Sequence, residues 1–138
     1  MAKSLSAGVI PVRRTLTGWR VLVLRAYSNW DFPKGKVNEG EEPLAAAVRE
    51  TAEEAGLADL KFAFGEAYRE TMPYAGGKVA RYYIAVTIEE RIALPVSAEL
   101  GRAEHHEGRW MNFVEARAVL PPRLSPILDW AQTTVEAS

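Results

Sequence analysis

The sequence predicts an α/β (α+β) fold, a mixed β-sheet with helices against its faces, in one domain spanning residues 1–138. Three observations carry this. Apolar, β-branched runs open the chain and recur near its end. One strongly helical segment lies between them, directly after a loop rich in Gly and Pro. Two further strand-like runs flank Gly76-Gly77, a hairpin signal.

In chain order, residues 4–13 and 19–26 read as a strand pair joined by a turn at 15–18. Residues 27–41 (YSNWDFPKGKVNEGE) read as a loop because turn-forming residues dominate them. Residues 42–55 switch to helical periodicity. Leu44, Val48, Thr51 and Ala55 form a stripe, Pro43 suits the first turn and Gly56 a C-terminal stop. Strand runs follow at 59–72 and 78–88 around Tyr74-Ala75-Gly76-Gly77. After a looser stretch, 89–106, come a strand at 108–113 and helices at 114–120 and 124–135, parted by Pro121-Pro122.

Composition excludes several functions. With 17 Lys+Arg against 18 Asp+Glu the net charge is -1, so no global basic field supports a stable nucleic-acid complex or an anionic membrane surface. There is no cysteine, which removes disulfide scaffolds, thiolate catalysis and Cys-based metal sites. The N-terminal apolar run is broken by Pro11 and Arg13-Arg14, too short for a leader or a span. The expectation is a cytoplasmic protein, monomer or homodimer, acting on a small molecule.

The central helix carries the chemistry. Glu50, Glu53 and Glu54 stand at i, i+3 and i+4, so their carboxylates are neighbours. At about 100° per residue they point away from the Leu44/Val48/Thr51/Ala55 stripe. Arg49 is placed to hold a carboxylate by a fork, and Lys34 and Lys36 precede the helix as partners for an anion. Oxygen-only ligands clustered without His or Cys favour a hard cation, Mg²⁺ or Mn²⁺, whose usual partner is phosphate. The residues alone therefore point to metal-dependent phosphate or pyrophosphate chemistry.

Gly35, Glu41 and the run Arg49-Glu50-Thr51-Ala52-Glu53-Glu54-Ala55-Gly56-Leu57 resemble the Nudix box, G-x5-E-x7-R-E-U-x-E-E-x-G-U, where U is bulky and apolar. The departure is Thr51 at the first U, whose methyl still suits packing on a sheet. The resemblance covers most of the chain. It implies a Nudix-type α/β/α sandwich with a central carboxylate-bearing helix and a C-terminal helix. It also implies hydrolysis of a nucleoside diphosphate linked to another moiety by water attack at phosphorus. Carried over by position, Glu53 and Glu54 are metal ligands, and Glu50 is a ligand or orients the water with Arg49 holding it. Glu41 supports the loop–helix junction, Gly35 permits the tight loop, and the Lys34 carbonyl reaches the metal.

Finer features sort the substrate. Pro33-Lys34-Gly35 resembles the diadenosine polyphosphate hydrolases and the diphosphoinositol polyphosphate phosphatases. Tyr68-Arg69-Glu70 with the Lys78–Tyr83 run, and Ala103-Glu104-His105-His106-Glu107-Gly108-Arg109-Trp110, resemble segments of the asymmetrical dinucleoside tetraphosphate hydrolases. The resemblance implies that Glu104 is a further metal ligand or base. In those hydrolases a tyrosine stacks on the base. Tyr82 is the first candidate for it here, with Tyr83 in the core, since strand neighbours face opposite ways, and the reverse assignment stays open. Lys78 and Arg81 are candidates for gripping distal phosphates. His105 and His106, in a polar loop, are expected to face solvent, and Trp110, Phe113 and Trp130 to pack. The leading expectation is asymmetric cleavage of diadenosine tetraphosphate to a nucleoside triphosphate and monophosphate. Diphosphoinositol polyphosphates, the RNA 5′ triphosphate end and a non-catalytic nucleotide sensor are the alternatives.

Overall fold

The computed structural model describes residues 4–137. Its strands are β1 (Leu5–Thr15), β2 (Gly18–Ala26), β3 (Asn29–Asp31), β4 (Lys34–Lys36), β5 (Tyr68–Glu70), β6 (Val79–Val86) and β7 (Glu107–Met111). The helices are α1 (Pro43–Ala55), α2 (Phe113–Val119) and α3 (Ser125–Glu136), with a 3-10 turn at Pro122–Leu124. No helix among the described residues is long and apolar enough to cross a membrane.

The sheet is mixed. β1 runs parallel to β6 from Leu5↔Val79 to Val12↔Val86, and this parallel pair needs a long crossover, which contains α1. The far edge of β1 is shared: Val12–Thr15 pair antiparallel with β2, and Ser6–Gly8 with β4. β2 in turn pairs with β3 and β7, and β5 closes the other side of β6.

Alternation assigns the two faces. Ala7 and Val9 of β1, with Tyr83 and Ala85 of β6, pack against Ala46 and Ala47 of α1. Ile10, Val12, Ala80, Tyr82 and Ile84 point the other way and join Phe113, Leu124, Ile127, Leu128 and Ala131 beneath α2 and α3. Helices thus cover both faces, the sandwich the sequence predicts.

Three expectations change. The run 59–72 is not one strand. It makes a single bridge at Lys61↔Val86, turns at Gly65 (φ 88°) and becomes β5 only at 68–70, an exposed edge with no apolar face to bury. The loop at 27–41 contains β3 and β4, because β2 and β1 each have an open edge there. Finally, α1 is rolled. Its buried arc runs through Ala46, Ala47, Thr51, Glu54 and Ala55, while Leu44 and Val48 are only half-buried. Small side chains at 46 and 47 let the helix sit close to the strands. The Thr51 hydroxyl donates to the Ala47 carbonyl at 2.8 Å, so its burial leaves no orphan group.

Candidate active site

Arg49 organises the loop–helix junction. Its Nε and a terminal nitrogen grip both oxygens of Glu41 (2.9 and 3.0 Å), and the Lys36 carbonyl accepts from it at 3.1 Å. The other terminal nitrogen donates to Glu50 at 2.7 Å and, at 3.4 Å, to Glu53. Glu41 also accepts from the Asn38 N–H (3.1 Å), tying the loop to the helix. The Arg49 bonds and then the Asn38 bond hold the Glu41 carboxyl below its usual range. The fork therefore closes on Glu41, and Glu50 takes a single bond.

The three helix carboxylates meet different surroundings. Glu53 is exposed, Glu50 half-buried, and Glu54 is buried. Burial raises the Glu50 carboxyl despite Arg49. Glu54 is pushed up to about 10, by burial first and by the adjoining Glu104 second, with the Lys34 N–H (3.2 Å) opposing weakly. Gly35 stands against Glu50: a Cβ there would fall inside the Glu50 carboxylate. That close approach, rather than a tight loop conformation, requires glycine, since its φ is not positive. Gly56 does need glycine's freedom, capping α1 at φ 71°.

A cleft of about 830 Å³ opens over these groups, lined by Lys34, Gly35, Lys36, Arg49, Glu50, Glu53, Glu54 and Glu104, with Pro95–Glu99 as its far wall. Carboxylate oxygens of Glu54 and Glu104 and a ring nitrogen of His105 all lie within 4.8 Å of one another. Four carboxylates crowded this way repel unless a cation sits among them, and hard oxygen donors beside lysines suit a divalent ion bridging to phosphate. The donor set fits Mg²⁺ or Mn²⁺.

Other expected residues lie elsewhere. Tyr82 does not stack on a ligand. It is fully buried, with its ring edge-on to Phe32 and its hydroxyl donating to Asp31 at 2.8 Å. The alternation that singled it out is correct, but α2 and α3 cover its face. Burial, then the Asp31 charge, push its hydroxyl well above the usual range. Tyr83 is buried as expected, under α1. Arg81 is tied to Glu70 at 2.8 Å and lies over the exposed Tyr68 ring at 4.0 Å, away from the cleft lining. Lys78 is exposed at the hairpin and does not line the cleft either. Phe113 is buried, whereas Trp110 and Trp130 are half-buried.

Two groups escape sequence reasoning. Asp31 accepts from Tyr82, from Arg123 (3.1 Å) and from the Phe32 N–H (2.7 Å), and pairs with Lys34 at 3.4 Å. Its only signal is a lone acid between Trp30 and Phe32. The second is His105. Its side chain is only 10% exposed, where a polar loop led to the expectation of solvent. Burial lowers its pKa. His106 is exposed, as expected, and its Nδ1 accepts from the Tyr27 N–H at 2.9 Å.

Comparison with known proteins bears on what this geometry belongs to. The NUDIX domain model matches residues 2–131. The chain is 34% identical over 97 residues to mRNA-decapping protein g5R of African swine fever virus (isolate Pig/Kenya/KEN-50/1950), a match spanning 65% of this chain but only 39% of the viral protein. It is 31% identical over 123 residues to the asymmetrical bis(5′-nucleosyl)-tetraphosphatase of Sus scrofa, covering 80% of each. Among solved structures it is similar to a binary complex of the C. elegans Ap4A hydrolase, with a TM-score of 0.81 at 22% identity over 98% of this chain and 99% of that one.

Proposed function

The chain belongs to the Nudix family and is a hydrolase of that class, and from this premise we propose that it cleaves diadenosine tetraphosphate or a related dinucleoside polyphosphate asymmetrically to a nucleoside triphosphate and a monophosphate. The observation that carries the reading is the cleft itself, a space of about 830 Å³ lined by Glu50, Glu53, Glu54 and Glu104 together with Lys34, Lys36 and Arg49. That volume suits a small polyphosphate ligand, and the Sus scrofa relative is named for this reaction.

Glu50, Glu53, Glu54, Glu104 and the Lys34 carbonyl would hold a divalent cation, Mg²⁺ or Mn²⁺, which when bound neutralises phosphate charge and makes the phosphorus more electrophilic. Lys34 and Lys36 bind phosphate oxygens by charge-assisted hydrogen bonds. Water attacks one phosphorus, a P–O–P bond breaks on the leaving side, and the water's proton passes to a carboxylate, Glu50 or Glu104. Such base catalysis contributes about 10²–10⁴-fold. Arg49 acts on Glu50 by holding its carboxylate at 2.7 Å.

The test is product analysis with Mg²⁺ and ¹⁸O-labelled water. Equal ATP and AMP from diadenosine tetraphosphate, with label on one of them, are expected. An intact dinucleotide, with pyrophosphate released from RNA that carries a 5′ triphosphate, would move the substrate to RNA ends, the alternative towards which the match to an mRNA-decapping protein leans.

A further inference from the structure

We propose that His105 is a nitrogen ligand in the metal site, joining Glu54 and Glu104 to make a mixed oxygen–nitrogen centre that favours a transition ion such as Mn²⁺ over Mg²⁺. The inference rests on the proposed catalytic reading of this cleft and extends its donor set beyond oxygen.

Two independent observations meet here. The first is the cluster: carboxylate oxygens of Glu54 and Glu104 and a nitrogen of His105 lie within 4.8 Å of one another. The second is that the imidazole is nine-tenths buried and its Nδ1 has no hydrogen-bond partner. A buried polar nitrogen left unpaired costs about 1–3 kcal/mol, so it should have a partner when the protein works. Glu104 Oε2 lies 3.8 Å from Nδ1, too far for a hydrogen bond. The separation nevertheless suits two ligands of one ion. Donors at about 2.1 Å from a common metal stand up to about 4.2 Å apart.

Chemistry then sets the preference. Magnesium is served by carboxylate, carbonyl and water, whereas imidazole adds affinity for transition ions along the Irving–Williams order. The other histidine is a built-in control, because its Nδ1 is already engaged by the Tyr27 N–H. These are the two histidines of the chain.

The experiment is electron spin-echo envelope modulation on tag-free protein loaded with Mn²⁺, with Mn²⁺ and Mg²⁺ affinities measured by calorimetry. Wild type should show imidazole nitrogen coupling, and His106→Gln should keep it. His105→Gln should lose it, with Mn²⁺ affinity falling about tenfold or more and Mg²⁺ affinity falling less. Mn²⁺ bound by wild type with no nitrogen coupling overturns the inference and leaves the hydrolase reading standing. The same holds if coupling survives in His105→Gln. A wild-type protein that binds neither ion overturns both.

Discussion

The two faces of the sheet solve opposite problems with the same strands. Under α2 and α3 the buried cluster is apolar, and the Tyr82 hydroxyl within it is matched by Asp31, itself matched by Arg123. Under α1 the alanines Ala7, Ala46 and Ala47 sit beside the Tyr83 ring, and Gly35 lies against the Glu50 carboxylate, where a side chain would take its place. There the buried Glu54 lies against Glu104, and burial with that neighbour raises its carboxyl to about 10. One face contributes stability, and the other spends part of it on crowding carboxylates that repel one another when ionised. The lesson is that a buried ionisable cluster is tolerated where packing elsewhere exceeds its cost.

If this contrast is right, removing a carboxylate should ruin activity while sparing the fold. Glu53→Gln should lower turnover by about 10³-fold, several kcal/mol of lost charge stabilisation, with an unchanged urea midpoint. A matching loss of stability would break the comparison.

The next largest effect is on pH dependence without metal. Glu54 is raised to about 10 from 4.5, so the folded state keeps a proton that the unfolded state releases. Its contribution is full below about pH 4.5 and lost as pH rises towards 10. Between about pH 7 and 9, above the range in which His105 titrates, stability should fall with pH. Urea titrations in chelator should show this slope in wild type and not in Glu54→Gln, and a divalent ion should flatten it.

Gly35→Ala sharpens the point about space. A Cβ inside the Glu50 carboxylate should displace that group, costing about 1–3 kcal/mol in stability and most of the activity. On the opposite face, Tyr82→Phe keeps the ring and leaves Asp31 with one donor fewer. It should cost about 1 kcal/mol with KM and kcat unchanged. A raised KM would return Tyr82 to the substrate site and erase the distinction between faces.

Much of this was legible in the chain. Spacing alone placed Glu50, Glu53 and Glu54 on one helix, Gly56 at its end and Arg49 beside Glu50, because these depend on residues a few positions apart. Alternation correctly put Tyr82 and Tyr83 on opposite faces. Periodicity is silent, however, on what covers each face. Tyr82 is buried by helices more than thirty residues downstream, and α1 is rolled by the fit of Ala46 and Ala47 against distant strands. Length misled at 59–72, where an apolar run at a sheet edge makes only short pairings.

The sequence by itself determined the family, the mixed sheet with its central carboxylate helix, and the residue types that meet phosphate. These follow from local spacing and patterning. Only the tertiary structure decided which glutamate is buried, that Arg49 closes its fork on Glu41, that Tyr82 serves the core, and that His105 turns inward beside Glu104. Those outcomes depend on dense packing between segments far apart in the chain, where the neighbours a side chain meets are set by all the elements together.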